Sequence, residues 1–480
     1  MTIPKFFKRE DCVMVKSKSL TEGPIFSRLL LFTVPLMLTG LLQVFYNMAD
    51  NIVVGSFSGD ELALAATGST GALTALIVNT LTAFATGSGV VIAQSFGAKD
   101  YNSLSKSIHT AMTLSVIGGL SLGVIAFTFS ELFLGLMGTQ EILMSRATLY
   151  FRIISLGIPA STVFNFGAAV LRSLGNSKIQ LYILGTTGIV NVILNLFFVI
   201  VCKMTVDGVA LATVISQYLS AVTVVIILCN VKDKNTRLDL KKLKIHTNLL
   251  KKILKIALPA CLQTSLFSLS NIMIQAAANE LPTLALSAKT IAANIDNLVY
   301  TAINSYSNST MTFVAQNYGA KNMERVKKSI FTAAFQVTAV GVIIGQILLF
   351  FGETLAALFI DPLDPNKVQV IEYSMEIMRI ILNIYFMCGI MDMLSGALRG
   401  LGNAVLPMII GLIGVCGIRL VWIFCFFPME HLHNLTGLYL SYPITWVFCI
   451  TALGIALAVE WRKRKKECSS QGEQLILTSK

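Results

Sequence analysis

The sequence predicts an all-α integral membrane protein in which 12 transmembrane helices form two pseudo-symmetric six-helix bundles. Three observations predict this class: an apolar composition, a series of long apolar segments and an internal repeat. Of the 480 residues, 55% are hydrophobic and only 13% are charged, and the mean hydropathy is +0.73. A soluble chain of this composition would expose many apolar stretches of about twenty residues, the length that crosses a bilayer as a helix.

The apolar segments are each long enough to cross about 30 Å of hydrocarbon. Several exceed twenty-five residues, so tilted, kinked or protruding helices are expected. The twelve segments lie near residues 28–50, 62–92, 106–136, 148–170, 179–202, 208–230, 250–277, 284–312, 328–358, 370–396, 404–427 and 436–460.

The basic residues are concentrated in every second connector between the apolar segments. The loop 231–252 holds eight Lys and Arg residues, and residues 462–466 read RKRKK. The other connectors are neutral or acidic, with Asp60, Glu61, Glu280, Asp361, Asp364 and Glu430. This alternation fits twelve spans with both termini in the cytoplasm. The net charge of +12 is explained by these connectors, so no nucleic-acid partner is expected.

One nineteen-residue sequence motif, the repeated motif, occurs twice in the chain. Residues 93–111 read AQSFGAKDYNSLSKSIHTA and residues 315–333 read AQNYGAKNMERVKKSIFTA, with ten of nineteen positions identical. Each copy follows one apolar segment and precedes the next. The glycine suits a helix C-terminus, and Asp100 or Asn322 suits the N-cap of the following helix. The turns lack the spacing of a phosphate-binding loop, so an architectural role is predicted.

The repeat divides the chain into two related halves. Because six spans are an even number, both halves enter the membrane from the same side and should be related by a pseudo-two-fold axis along the membrane normal. The predicted parts are a cytoplasmic lead-in at 1–27, an N-terminal bundle at 28–230, a basic cytoplasmic linker at 231–249, a C-terminal bundle at 250–460 and a basic, then disordered, tail at 461–480.

Polar residues in the first segment mark a candidate site in the N-terminal half. Gln43, Asn47 and Asp50 are spaced i, i+4 and i+7, which puts them on one helix face. A carboxylate within a span is costly and should face protein or water. It could take up a proton or help to bind a hard cation such as Na⁺. The alternative interpretation is a helix-end residue at the outer interface.

The fifth and sixth segments carry further polar side chains. Asn191 and Asn195 are one turn apart in the fifth segment, and Thr213 lies in the sixth. These groups could line the same cavity as Asp50. They could equally make hydrogen bonds that only hold helices together.

The C-terminal half has its own candidates. Asp296 and Tyr300 follow one stripe of the eighth segment, and Asp392 lies in the tenth. Both acids are candidates for cation coupling. The alternatives are a buried ion pair for Asp296 and a pair between Asp392 and Arg419. The remaining candidate cavity residues are Gln263 and Asn271 of the seventh segment.

No catalytic or metal-binding constellation is evident. There is no Walker motif, nucleophile elbow or HExxH pattern, and the nine cysteines form no CxxC. His431 and His433 are the only close histidine pair, a weak metal signal. We therefore expect no enzyme activity, no metal and no cofactor. A membrane-embedded enzyme and a receptor remain as alternatives without a supporting motif.

Three motifs give the chain a family resemblance. They are Gln-x-x-Gly-Ala-Lys-Asp/Asn after spans 2 and 8, Leu-Arg-x-Leu-Gly-Asn after spans 4 and 10, and Asp50 followed by Ile52-Val53-Val54-Gly55. Together they resemble the multidrug and toxic compound extrusion (MATE) transporters, especially bacterial members. The resemblance implies a V-shaped pair of bundles that exports cationic or amphipathic compounds in exchange for H⁺ or Na⁺.

The resemblance also bears on the candidate acids. It implies that Asp50 is the first-span acid involved in coupling. The family often has Asn-x-x-x-Asp in span 5, whereas this chain has Asn191-Val-Ile-Leu-Asn195. The missing second carboxylate shifts weight toward Asp296 and Asp392.

We therefore expect a secondary active multidrug exporter that works by alternating access in the bacterial inner membrane. Its driving force would be a transmembrane H⁺ or Na⁺ gradient rather than a cofactor. Its partners would be small cationic or amphipathic molecules and membrane lipid, and it would be a monomer. Phe45, Tyr46 and Tyr300 could supply an apolar wall for substrates. The alternative function is a lipid-linked saccharide flippase of the same superfamily.

Overall fold

The computed structural model describes residues 19–57, 62–360 and 364–478, and almost all of them are helical. Twelve long helical segments are found in these described residues, as the sequence predicts. They are α1 Ile25–Phe57, α2 Ala63–Gly97, α3 Tyr101–Thr128, α4 Glu141–Ser173, α5 Lys178–Val201, α6 Val206–Cys229, α7 Thr247–Ala278, α8 Thr283–Gly319, α9 Met323–Phe350, α10 Lys367–Gly400, α11 Val405–Phe426 and α12 Ser441–Thr478.

Eleven of the described helices are long and apolar enough to cross a membrane. The remaining long helix, α8, is more polar because it carries Lys289, Asp296 and several Asn, Ser and Thr residues. Many of these side chains are buried against neighbouring helices. The twelve-helix fold class is therefore confirmed, and α8 is the span whose polarity needs a protein environment rather than lipid.

Several helices depart from regular α geometry. Pro35, Pro159 and Pro259 lie inside α1, α4 and α7, where each removes one backbone hydrogen bond. The last turn of α5 and most of α11 are π-helical, a widening that often marks functional sites. The expected third segment is divided at Phe129, after which a short helix covers Ser130–Leu136.

The two copies of the repeated motif form the same turn. In each, the helix ends at the glycine, and the left-handed conformation falls on the lysine two residues later, with φ of 55° at Lys99 and 58° at Lys321. Asp100 accepts from the backbone N–H of Ser103 at 3.0 Å, and Asn322 accepts from Arg325 at 3.0 Å. The predicted N-caps are confirmed. The glycine is the last residue of each helix, and the left-handed residue of the turn is the lysine.

The Leu-Arg-x-Leu-Gly-Asn motifs also form matching turns. Gly175 and Gly402 have φ of 82° and 88°, which is where glycine is favoured at a helix end. Asn176 then accepts from the N–H of Ile179, and Asn403 accepts from Leu406. These turns give the two halves equivalent helix boundaries.

The helices group into two compact units. The first comprises the described residues of Phe45–Ile253, and the second those of Thr21–Val44 and Leu254–Lys480. The core of the first unit lies among α2, α3, α4 and α6, with Ile92, Ile108, Leu171 and Val224 almost fully buried. The predicted bundle boundaries at 28–230 and 250–460 stay a prediction.

The first helix contributes residues to both units. Its early part packs in the second unit, where Phe32 meets Phe313 edge-on at 5.9 Å and Gln336 donates to the carbonyl of Phe26 at 2.7 Å. Its later part belongs to the first unit, where the hydroxyl of Tyr46 donates to the carbonyl of Gly185. Asp50 is therefore carried by the later part.

The basic linker at 231–249 is docked on α3. The buried His109 accepts from the backbone N–H of Asp239 at 3.1 Å through Nε2. One residue on, Thr110 accepts from the backbone N–H of His246 at 3.2 Å. The linker is consequently an ordered part of the first unit.

The N-terminal lead-in lies largely outside the described residues, whereas most of the C-terminal tail is described. Residues 1–18 of the lead-in lie outside the described residues, as do Asp60, Glu61 and Asp361 of the acidic connectors. The sequence predicts a basic, then disordered, tail at 461–480, whereas α12 continues to Thr478. Arg464 pairs with Glu460 at 2.8 Å and Glu467 at 3.1 Å, and such i, i+4 and i, i+3 pairs stabilise an exposed helix.

Candidate cation and substrate sites

Asp50 is bound to α5 by a short hydrogen bond. The Nδ2 atom of Asn195 donates to Asp50 Oδ1 at 2.5 Å. Asn195 is 0% exposed, whereas Asp50 is partly buried. A carboxylate held against a buried amide differs from a helix-end residue in free contact with water, and its role in cation coupling stays a prediction.

The bond to Asp50 is the first in a row of side chains that crosses three helices. Asn195 Nδ2 also lies 3.3 Å from Asn191 Oδ1, and Asn191 Nδ2 donates to Thr213 Oγ1 at 3.4 Å. The structure thus brings together four of the predicted residues: Asp50 of α1, Asn191 and Asn195 of α5, and Thr213 of α6. A shared cavity and hydrogen bonds that only hold the helices together were the two alternatives, and the choice between them stays a prediction.

One hydrogen-bond acceptor of the cluster lacks a donor. Asn195 Oδ1 is buried and has no hydrogen-bond partner in the structure, and a buried polar atom in that state is unfavourable. The Asp50 carboxylate, the two Asn oxygens and the Thr213 hydroxyl form an all-oxygen set. Hard cations prefer such ligands, and a carboxylate can alternatively take a proton. In the described part of the chain, no group of three His, Cys, Asp or Glu side chains is arranged to hold a metal ion.

Tyr46 fixes the height of α1 on α5, one turn before Asp50. Its hydroxyl donates to the Gly185 carbonyl at 3.2 Å. Its ring fills the space above Gly188, where an added Cβ would overlap the ring atoms. Tyr46 makes a positioning contact in the structure, and its place in a substrate wall stays a prediction. In the sequence, only the small size of Gly188 hints at this contact.

A small, partly open pocket lies in the first unit among α2, α4 and α6. Its wall is mostly apolar, and its polar side chains are Thr74, Ser161 and Gln217. Thr74 Oγ1 and Gln217 Oε1 are buried without a hydrogen-bond partner. Gln217 lies one turn beyond Thr213 on α6. The apolar lining consists of Ile77, Val78, Leu81, Phe151, Ile154 and Ile158.

The other predicted residues of α1 are less engaged. Gln43 and Asn47 are both exposed, on the same helix as Asp50. The structure does not bring either of them into the row of bonds that starts at Asp50. Their place in a cavity stays a prediction.

In the second unit, Asp392 sits in a tight polar contact between α8 and α10. Asn304 Nδ2 donates to Asp392 Oδ2 at 3.0 Å and lies 3.3 Å from the hydroxyl of Tyr300. Ser307 donates to the backbone carbonyl of Asp392 at 2.7 Å. Asp392 and Tyr300 are therefore brought together, with Asn304 between them.

The basic residue nearest in effect to Asp392 is not the one considered from the sequence. Arg399, two turns along α10, is the basic residue within its electrostatic range. Arg419 instead lies over the ring of Tyr442 at 4.2 Å, and its buried Nε has no partner among the described residues. The alternative pair between Asp392 and Arg419 is therefore not seen among the described residues.

Gln263 is a buried partner of Arg399. Only 5% of Gln263 is exposed, and its Oε1 accepts from Arg399 at 2.6 Å. It joins α7 to α10 within the protein interior. Asn271, two turns later on α7, is exposed. The two predicted cavity residues of α7 therefore have different environments.

Asp296 of α8 lies beside the phenol of Tyr385. Its Oδ1 is buried and has no hydrogen-bond partner. Lys289, on the same helix, donates to Gln275 of α7 instead. The buried ion pair considered for Asp296 is therefore not seen among the described residues, and the unpartnered oxygen keeps Asp296 as a candidate.

The duplicated fold and its polar clusters can now be compared with known proteins. The sequence profile of the MatE family matches residues 35–197 and 259–425. The chain belongs to the MATE family. The two matched ranges fall in the two predicted halves and begin at the equivalent prolines, Pro35 and Pro259. This agreement supports the internal duplication that the repeated motif predicts.

Named relatives of the MATE chain cover almost its full length. The protein named "Probable multidrug resistance protein YoeA" of Bacillus subtilis is 25% identical over 444 residues, which is 91% of this chain and 94% of the relative. The protein named "Probable multidrug resistance protein NorM" of Thermotoga maritima is 27% identical, over 91% of this chain and 93% of its own.

The fold matches solved MATE structures. A MATE crystallised in complex with MaD3S superimposes with a TM-score of 0.80 at 19% sequence identity, covering 95% of this chain and 98% of that one. At this identity the likeness establishes the fold. The family assignment rests on the sequence profile.

Proposed function

We propose that this MATE transporter is a secondary active multidrug exporter that exchanges a cation, H⁺ or Na⁺, for organic cations or amphipathic compounds. The single observation that carries the proposal is the row Asp50, Asn195, Asn191 and Thr213. It places one carboxylate and several neutral oxygens on three helices of the first unit.

The exchange follows from competition for two orientations of the transporter. Proton or Na⁺ uptake at Asp50 alters its bond to Asn195 and stabilises one orientation. Substrate binding stabilises the other. A ligand shifts such a balance only through its different affinity for the two states, so the cation gradient drives export when cation and substrate favour opposite states.

The apolar pocket is the proposed place for the substrate in the first unit. The pocket has free space for little more than a water molecule, so it must widen to admit a substrate. Its wall of Leu81, Phe151 and Ile158 would then contact the apolar body of a drug, and Gln217 offers an acceptor. Ligand pockets commonly combine such a wall with a few polar groups. The Asp50 carboxylate, on a helix of the same unit, favours positively charged compounds.

Asp296 and Asp392 form a second candidate group in the second unit. The unpartnered oxygen of Asp296 and the Asn304 bond to Asp392 support a role in coupling. Because the two acids have different partners, their contributions should be separable by mutation.

The remaining parts of the proposal concern the cell. The positive connectors and the relatives' bacterial sources support a bacterial inner-membrane location with both termini in the cytoplasm. A transmembrane gradient takes the place of a cofactor, and the working unit is a monomer. A lipid-linked saccharide flippase is the competing function. The multidrug names of the relatives favour export of small molecules.

The proposal is tested by ethidium efflux from an efflux-deficient bacterial host. Asp50→Asn is expected to abolish efflux, because the amide cannot take up a proton or neutralise Na⁺. Asp207→Asn is the matched control, since Asp207 accepts from the backbone of Thr205 at the start of α6. Efflux that is unchanged in Asp50→Asn at equal membrane expression would remove Asp50 from the mechanism.

A further inference from the structure

Two exposed apolar stripes end in basic residues at one corner of the second unit. On α9, Phe331 and Phe335 are 66% and 65% exposed. Lys327 and Lys328, both exposed, precede them by one turn. Because residues 327, 331 and 335 are four apart, they share one helix face. This face changes from apolar to cationic within a single turn.

The end of α12 repeats this arrangement. Ile455 and Val459 are 63% and 61% exposed, and the exposed Arg462 and Lys463 follow within one turn. The apolar residues would contact lipid chains, and the cations lie at the depth where those chains end. Both helices therefore change polarity in the same way.

Trp461 joins the two helix ends. Its indole Nε1 donates to the carbonyl of Met323, the first residue of α9, at 3.0 Å. The ammonium groups of Lys327 and Lys465 lie 5.6 and 5.0 Å from the centre of its ring. Tryptophan is enriched at membrane–water interfaces, so this contact places the corner at headgroup depth.

The cations at this corner outnumber the available acids. Glu324 is taken by Lys465 at 2.7 Å, and Glu460 and Glu467 both pair with Arg464. The other exposed cations within the described residues 327–328 and 461–470 form no ion pair, although Glu324 is close enough to attract Lys327 and Lys328. We call these five the basic corner: Lys327, Lys328, Arg462, Lys463 and Lys466.

We propose that the basic corner, with the apolar stripes beside it, binds an anionic phospholipid. The phosphate and any further negative charge of the headgroup are held by the basic corner, and the acyl chains lie along Phe331, Phe335, Ile455 and Val459. Juxtamembrane cations attract anionic lipids by about 1 kcal/mol each, and a zwitterionic headgroup lacks the net charge to benefit. The site is separate from the transport site and does not rest on the proposed function.

The test uses the purified full chain in detergent. Its thermal midpoint is measured with added phosphatidylglycerol, phosphatidylcholine or inorganic phosphate, and native mass spectrometry counts the lipids bound to the folded fraction. Phosphatidylglycerol is expected to raise the midpoint and to remain bound. Phosphatidylcholine and phosphate alone are expected to do neither. Equal effects of inorganic phosphate would indicate a free-anion site and overturn the proposal, as would equal effects of phosphatidylcholine.

Two matched double variants locate the site. Lys327→Gln with Lys328→Gln should weaken phosphatidylglycerol binding roughly tenfold or more, since two favourable charges are lost. Lys232→Gln with Lys234→Gln removes two exposed lysines of the linker and should leave binding within about twofold. Phe331→Ser tests the apolar part and should also weaken binding. Equal losses in the two lysine variants, or none in either, would contradict a site at this corner.

Discussion

The amide of Asn195 donates to the carboxylate of Asp50 at 2.5 Å, which joins α5 to α1 through one negative charge. Asn191 and Thr213 extend the contact without adding a second acid. A site with one carboxylate can neutralise one monovalent cation. Coupling through this row should therefore use one H⁺ or one Na⁺, and any additional cation should depend on Asp296 or Asp392.

Removing the donor to Asp50 should uncouple transport. Asn195→Leu leaves the carboxylate without its amide and Asn191 without its neighbour. We expect efflux to fall at least tenfold, because losing a hydrogen bond to a charged group costs about 1.5–3 kcal/mol. Initial rates of ethidium efflux measure this. Asn230→Leu is the control, because the side-chain amide of Asn230 donates to the carbonyl of Ile226 within the adjoining turn of α6. Equal activity of the two variants would contradict the role given to Asn195.

The close packing of the Tyr46 ring against Gly188 predicts that a larger residue at position 188 will disturb Asp50. In Gly188→Ala, the new methyl group overlaps the Tyr46 ring and forces α1 away from α5. Overpacking of this kind costs about 1–3 kcal/mol, so both thermal stability and efflux should fall. Gly118→Ala in α3 meets no atom within 4 Å and should be neutral or slightly stabilising. A tolerated Gly188→Ala would show that the contact does not position Asp50.

Gln217 should tune substrate preference without controlling coupling. Gln217→Leu removes the unpartnered acceptor of the pocket. Substrates that carry a hydrogen-bond donor should bind up to about tenfold more weakly, as expected for one hydrogen bond. Substrates of similar size without a donor should be unaffected or improved. Half-maximal efflux concentrations for such pairs give the comparison, and an equal loss for both kinds would argue for a general packing defect.

Asp100 should make part of the stability depend on pH. Hydrogen bonds from the side chain and then the backbone of Ser103 lower the pKa of the Asp100 carboxyl. A lowered folded-state pKa gives stability that is present above the ordinary carboxyl pKa of about 4 and is lost as the pH falls through the lowered value.

The change at Asp100 can be separated from the loss of the cap itself. Asp100→Asn should keep the cap and remove this pH dependence, as Asn322 already does in the second copy. Asp100→Ala should cost about 1 kcal/mol at neutral pH. Thermal midpoints between pH 3 and pH 7 measure both. A pH profile of Asp100→Asn identical to that of the unaltered chain would exclude this cap as the titrating group.

The sequence was sufficient for the features that depend on regular spacing. The twelve spans follow from segment length, the N-caps of α3 and α9 from the repeated turn, and the shared face of Asn191 and Asn195 from helical periodicity. These features need only the geometry of single helices and the assumption that polar faces turn inward.

Other features depend on packing between distant residues and were not predictable. The fit of Tyr46 onto Gly188 requires the height of one helix relative to another. The binding of Gln263 by Arg399 requires knowing which polar faces meet. A pair between Arg419 and Asp392 was one alternative, but the neighbouring ring of Tyr442 competes for the guanidinium. The continuation of α12 depends on the pairing of Arg464 with acids on both sides.

The central claim is that a downhill cation drives substrate uphill through Asp50. The most direct measurement is uptake of a fluorescent organic cation into proteoliposomes, with a pH gradient and a Na⁺ gradient imposed separately. We predict accumulation against the substrate gradient with at least one of the two ions, and its loss in Asp50→Asn. Accumulation that is absent under both gradients in the unaltered protein, or that persists in Asp50→Asn, would contradict the account.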